Sequence, residues 1–506
     1  MFRILSASKD TMITNKIINN SFRAEDANTG QAGTLDLFKL YDESSLTGST
    51  TPIELSRVLI KFDLDPLRAL TSSILNVGSS NFKCFLNLRD VYGGQTTPTN
   101  FTLSVMPLSK SFDEGFGRDV VLFQDLDSAN YVTASTVGGI SAWNVTGASA
   151  VGLLGTSNID VVGSGTLDAS QGLISFEATQ LFPLGDEDLL VDVTRIVSAT
   201  LKGLLPDQGF RISFSGTQET DDKTRFVKRF ASRHATNVRK RPTIRAIFDD
   251  SSDDDHQNFF FDLSGSLFLN NFHRGSPANL VSGSNLTPLT GTNALLMTLY
   301  SGSYTGTFTA SQHTTSGQTV TGVYSTSFAI PSNNSSLLTE IRAAGSATFT
   351  EVWSSFDRTV AFVTNSLVVK TVNRTTFDVE QQRWNINVTN MREFYKRTEK
   401  ARFRIFAQLI STEQSYKAKR LPYELPSEII RDIYYRIRDA HSGDIVVPFE
   451  QTYRSTRVST DSKGMYFDLY IDGLDAGRVY EIDLLVYNRG VSEIYSGVGG
   501  RFRVED

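Results

Sequence analysis

One pattern runs through the whole chain: short stretches in which apolar and polar residues alternate, separated by clusters of Gly, Asn, Asp, Ser and Pro. Phe101–Thr102–Leu103–Ser104–Val105, Phe210–Arg211–Ile212–Ser213–Phe214 and Arg501–Phe502–Arg503–Val504 are three of them. Alternation at period two places successive side chains on opposite faces of a strand, so many such runs between turn signals specify sandwiches or barrels. One helix is expected, with Val193, Ile196, Val197 and Leu201 on a single face, Asp192 or Thr194 as N-cap and Gly203 near its end. The expected fold class is mainly β.

A chain of 506 residues is too long for one ordinary core, so several domains are expected. The sharpest break is Asp249–Asp250–Ser251–Ser252–Asp253–Asp254–Asp255–His256. So dense an acidic block lacks internal partners and reads as a solvated linker; it also lacks the alternating carboxylates and glycine turn of a calcium loop. The expected organisation is a jelly-roll sandwich over 1–250, an acidic linker over 251–257, a Thr/Ser-rich middle β domain over 258–380 and an immunoglobulin-like β-sandwich over 381–506. In Val58–Leu59–Ile60–Lys61–Phe62, alternation sends Val58, Ile60 and Phe62 to the core and Leu59 and Lys61 to the other face.

Composition narrows the function classes. A net charge of −6 gives no global basic footprint, so no nucleic-acid partner is expected. No apolar run approaches the length of a membrane span, and the N-terminus lacks the pattern of a secretory signal, so synthesis in a cytoplasm without membrane insertion is expected. The single cysteine, Cys84, shares a strand face with Phe82, Leu86 and Leu88 and reads as a small buried hydrophobe.

Chemistry-bearing motifs are sparse. His234, His256, His273, His313 and His441 share no short ligand spacing, so a zinc site would need ligands assembled from distant strands. Gly115-x-Gly117 and Gly497-x-Gly499–Gly500 have no helix behind them to bind phosphate and read as turns. Asp186, Glu187, Asp188 and Asp192 offer the residue types of a glycosidase pair but read as helix-opening and loop carboxylates. Asp125-x-Asp127 with Asn130 lacks the glycine turn of a calcium loop. Two basic segments, Lys228 to Arg241 and Arg392 to Arg404, read as solvated faces or protein–protein rims. No catalytic, cofactor-binding or metal-ligating residue is therefore assigned; neither enzymatic activity nor a cofactor is expected.

The first half carries an ordered set of segments: Ser8–Lys9–Asp10–Thr11, Gly33–Thr34–Leu35–Asp36, Ser56 to Leu64, Val191–Asp192–Val193–Thr194, Gly209–Phe210–Arg211–Ile212, Phe230–Ala231–Ser232–Arg233 and Arg241–Pro242–Thr243–Ile244. In that order they resemble the DNRLRE-type (disaggregatase-related) jelly-roll domain over roughly residues 1–250, departing from it by a long loose insertion, Ser135–Gly172, around Trp143. The resemblance implies a carbohydrate-binding-like jelly roll and non-catalytic attachment. The C-terminal region resembles immunoglobulin-like modules appended to tailed-phage structural proteins. Together these imply a structural or docking component of a tailed-phage virion (tail, baseplate, neck or capsid exterior), made in the host cytoplasm. It would assemble with other virion proteins and with copies of itself in a symmetric array. The alternative expectation is a polysaccharide- or cell-surface-binding module of an adhesin or receptor-binding apparatus.

Overall fold

The structure is a computed structural model that describes residues 1–19, 21–41, 54–92, 97–121, 127–167, 172–315, 317–372, 383–410, 427–488 and 490–506. It is mainly β, with a few short helices. Two compact units divide the chain: Arg3–Arg68 with Phe82–Ile247, and Phe248–Asp506 with Met1–Phe2 and Ala69–Asn81. The expected middle and C-terminal domains thus share the second unit; the 380/381 boundary drawn between them lies outside the described residues.

In the first unit ten strands join in one antiparallel sheet. Glu54–Phe62 is central, pairing with Phe2–Thr14 on one side and Phe210–Phe214 on the other. Phe182 meets Phe230 at a centroid distance of 6.4 Å, although their strands lie far apart in the sheet order, so the sheet folds back over a shared aromatic core. Gly209 enters the Phe210 strand at φ +94°, and a Cβ there would lie 2.3 Å from the Ile60 carbonyl oxygen, which leaves only glycine. The helix spans Thr194–Leu201; the Asp192 carboxylate accepts the Thr194 N–H at 2.8 Å, while Thr194 Oγ1 accepts from the Cys84 N–H at 2.8 Å. Cys84 is fully buried, and burial raises its thiol pKa well above the usual range.

Leu59 departs from the simple alternation. It is as buried as its neighbours, because it packs with Ile13, Leu108, Phe112, Trp143 and Val161 on the opposite face of the sheet. The segment expected to be a loose insertion supplies much of this cover. Trp143 donates its indole N–H to Asn130 O at 2.9 Å. The buried Asp160 carboxylate accepts the backbone N–H groups of Asn144, Val145 and Ala150 at 2.7, 3.1 and 3.2 Å. Arg57 and Arg211, rooted in the sheet, donate to Gly147 O at 2.6 Å and Ala148 O at 2.8 Å. The physical reason is that a strand apolar on both faces needs a cover on each. Leu59→Ala is expected to lower stability by about 2–5 kcal/mol in chemical denaturation, as for a buried leucine; a solvent-facing Leu59 would change it by less than about 0.5 kcal/mol.

The second unit contains a seven-stranded sheet in the order Phe259–Phe260, Ala361–Lys370, Ser346–Ser355, Leu295–Ser301, Tyr304–Thr315, Gln318–Phe328, Gly265–Asn270. Trp353, Phe349, Tyr324 and Leu295 lie in its core. A four-stranded and a six-stranded sheet make the C-terminal sandwich. Its core is aromatic: Phe403 stacks on Phe467 at 5.1 Å, and Phe467 on Tyr435 at 4.1 Å. Tyr480 Oη accepts the Asp475 N–H at 2.8 Å, a tyrosine tie to backbone a few residues upstream like that of immunoglobulin-type sandwiches.

The acidic block is not a solvated linker. Asp253 pairs with Arg457 and Asp255 with Arg431, both at 2.9 Å. Asp254 and His256 are buried. His256 Nδ1 meets the Asp254 carboxylate and its Nε2 meets both Glu351 oxygens at 2.8 and 2.9 Å, while the Trp353 indole N–H donates to Glu351. The Asp250 carboxylate takes the N-terminal amine of Met1. Asp254 has its cation in His256, but those of Asp255 and Asp253 come from 176 and 204 residues away, which is why no local pattern announces the pairing.

Candidate functional site

Two constellations stand out, one in each unit. In the first unit a carboxylate oxygen from each of Asp10 and Glu114 and a ring nitrogen of His234 lie within 4.8 Å of one another. The Glu114 loop is stapled by the buried Asn28. Its amide donates to Glu114 O at 2.8 Å and Ala129 O at 2.7 Å, and its oxygen accepts the Gly30 and Gly117 N–H groups at 3.0 Å. A Cβ on Gly117 would lie 1.8 Å from Asn28 O, so the Gly115-x-Gly117 turn is a packing requirement. Arg233 engages both Glu114 oxygens, with Nη2–Oε2 at 2.7 Å, and His234 Nε2 stands 3.4 Å from Oε1. Asp10 is 1% exposed; one oxygen accepts the Arg233 N–H at 2.6 Å and the other has no hydrogen-bond partner among the described residues.

Burial pushes the Asp10 carboxyl up to about 7, with the Glu114 charge adding to the rise and the Arg233 N–H and the Arg233 and Arg241 charges opposing it. Ligand types suited to a divalent cation are therefore together, but Arg233 already neutralises Glu114, and a cation would have to compete with it. The arrangement is an ion-pair hub with an acid that titrates near neutrality. Asp10, Glu114 and His234 are separated by 104 and 120 residues, beyond the reach of any spacing motif.

In the second unit a cleft of about 270 Å³ is floored by the outer face of the strands Lys400–Ile410 and Gly464–Tyr470. Lys400, Arg402, Tyr466, Asp468 and Tyr470 line it there; Phe268, Phe272 and His313 of the middle sheet and its hairpin face them, with Leu70 and Ile74 beside. Arg402 stacks over the Tyr466 ring at 4.0 Å and makes a two-pronged pair with Asp468 at 2.8 and 3.0 Å. Lys400 also reaches Asp468, at 3.0 Å. Burial pushes the Asp468 carboxyl up, but the hydrogen bond from Arg402 and the Lys400 and Arg402 charges outweigh it, so its pKa falls below the usual carboxylate range. His313 has a depressed pKa through burial and holds Ser325 Oγ at 3.2 Å from Nδ1.

The remaining sequence candidates are dispersed. The Glu187 carboxylate accepts the Leu184 and Gly185 N–H groups, Asp188 pairs with Arg89, and Asp186 is exposed. Asn130 Oδ1 caps a turn at Val132 and Thr133, while Asp125 lies outside the described residues. His273 is exposed, and the His441 N–H donates to Asp439. Gly497 N–H donates to Asp483 at 2.9 Å.

The basic segments are only in part the solvated faces or rims expected: Lys240, Arg392, Lys396, Lys400 and Arg402 are exposed, whereas Lys228 is not. Lys228 is fully buried, bound to Asp90 at 2.6 Å and to the carbonyls of Gly185 and Glu187, with Phe182 and Phe230 about its ammonium. Arg229 forks onto Asp36 and Arg404 onto Asp461. A cation can be this deep because each has an anion or carbonyls converging on it.

No family model matches the chain, and no curated protein matches it. Among solved structures, one match is to the three N-terminal domains of the bacteriophage RB49 Highly Immunogenic Outer Capsid protein (Hoc), at 11% identity over 49% of this chain and 67% of that one. The TM-score is 0.14.

Proposed function

We propose that the chain is a structural and docking protein of a tailed-phage virion, assembling through protein–protein interfaces with other virion proteins and with further copies of itself. The observation that carries the reading is a pair of adjoining loops in the first unit with large apolar side chains at their tips. Phe116, Val137 and Ile140 are 81%, 82% and 83% exposed. The Asp113 carboxylate accepts the Thr136 and Val137 N–H groups at 2.9 and 3.3 Å, tying one loop to the other. The layer behind them is anchored by Trp143, Asp160, Arg57 and Arg211, so these tips are presented on a pre-organised support. Apolar groups held in water on a rigid support gain on burial against a partner, roughly 1.5–3 kcal/mol for each large side chain. The jelly-roll and immunoglobulin-like resemblances supply the phage context.

Mass spectrometry of purified particles tests the reading: the chain is expected among the particle proteins, and Val137→Asp with Ile140→Asp is expected to reduce its incorporation while leaving its melting unchanged. Absence from particles, or robust glycan turnover by the purified chain, overturns it. The second reading, a polysaccharide- or cell-surface-binding module, is favoured by the aromatic cleft of the second unit.

A further inference from the structure

We infer that the cleft between Tyr466, Arg402 and Asp468 on one wall and Phe268 and Phe272 on the other is a binding site for a neutral saccharide of one or two rings. This deepens the second reading, since it names a site and a ligand class, and it does not depend on the virion assignment. Three properties of the cleft select the ligand.

Size comes first. About 270 Å³ lies just below the usual range for drug-sized ligands, enough for a short ring-shaped molecule and too little for a folded segment or an extended helix. Charge comes second. Each lining cation already has a carboxylate within reach: Lys400 and Arg402 share Asp468, and Arg457 is matched by Asp253, while Asp461 is taken by Arg404. A phosphate or a nucleotide would have to compete with these carboxylates for Lys400 and Arg402, whereas a neutral ligand can hydrogen-bond to the pairs as they stand. Burial depresses the His313 pKa and so disfavours its charged form.

Chemistry comes third. The walls combine aromatic side chains with planar polar groups: on one, Arg402 lies over the Tyr466 ring and forks onto Asp468; Phe268 and Phe272 form the other, and Ser251, Ser252 and Asn270 also line the cleft. A pyranose has the matching surface, an apolar C–H face that stacks on an aromatic ring and a girdle of hydroxyls that both donate and accept. Carboxylate lone pairs and guanidinium N–H groups held in one plane suit adjacent hydroxyls, and charged partners make the stronger hydrogen bonds. Phe272 is 57% exposed on a short hairpin, where it is positioned to cover a ring stacked below it.

The test uses the full chain and saturation-transfer difference NMR with glucose-, galactose- and mannose-configured monosaccharides and disaccharides, together with one uronic acid and inorganic phosphate. At least one neutral sugar is expected to show transfer at millimolar concentration. Phe272→Ala, which removes an exposed side chain, is expected to weaken that binding about tenfold with melting unchanged, and Arg402→Gln to weaken it at least as much. Failure of every neutral sugar to bind overturns the inference. So does binding that survives both substitutions, which would place the sugar elsewhere on the chain, or binding confined to the uronic acid or phosphate. None of these outcomes bears on whether the chain is found in particles.

Discussion

Replacing His256 with Gln is expected to destabilise the second unit by about 3–5 kcal/mol at pH 7, the usual consequence of removing one member of a buried ionic group. The imidazole lies between Asp254 and Glu351, all three buried, and Glu351 also holds the Trp353 indole at the centre of the seven-stranded sheet. Without the cation, two carboxylates are left buried with no positive partner between them. The pH dependence has a definite sign. Although burial by itself disfavours the imidazolium, the hydrogen bonds and charges of Asp254 and Glu351 raise the His256 pKa to about 10. Its ordinary value is near 6.5. The folded state therefore holds a proton that the unfolded state releases. The stabilisation is complete below about pH 6.5 and is lost as pH rises through about 10. Denaturant titrations of the parent and His256→Gln at pH 6, 8 and 10 should show a gap that narrows with pH. Equal stability of the two proteins at pH 6 would remove the clamp from the account.

The same residue marks where sequence reasoning stops. Alternating runs, turn residues and the helix at Thr194–Leu201 are local signals, each expressed within ten residues, and the mainly β class follows from them. Cys84 is legible for that reason too, since its strand face is shared by Phe82 and Leu86. Charge satisfaction is non-local. The acidic block at 249–256 looks unpaired in sequence because Arg431, Arg457 and Glu351 arrive from segments far along the chain. Leu59 carries a signal, three consecutive apolar residues in Val58–Leu59–Ile60, but nothing local says which segment covers its outward face. Trp143 is the available clue: a large aromatic inside a Gly/Ser-rich segment gains most from burial. The cleft in the second unit is hidden differently, since the Arg402 and Tyr466 face of paired strands reads in sequence as an ordinary solvated ladder.

Asp10→Asn is expected to stabilise the first unit at pH 8, by about 4 kcal/mol, against the usual tendency of buried substitutions to destabilise. The figure is the rise of the Asp10 pKa from 3.8 to about 7, converted at about 1.4 kcal/mol per pH unit. A carboxyl whose folded pKa lies above its unfolded value binds a proton on folding. Its contribution is greatest below about pH 4, falls as pH rises to about 7, and remains unfavourable above that because the folded state then holds a buried anion. Arg233 and Arg241 pull in the other direction, but Arg233 is committed to Glu114 and Asp10 has an oxygen without a hydrogen-bond partner among the described residues. Asparagine keeps the oxygen that accepts the Arg233 N–H and carries no charge to desolvate. The two proteins should therefore be nearly equal at pH 4 and diverge steadily to pH 7, with the neutral amide giving the variant a flatter stability profile in urea titrations. A variant less stable than the parent at pH 8 would mean that the two arginines hold the ionised carboxylate more favourably than burial penalises it, and that the hub depends on its charge.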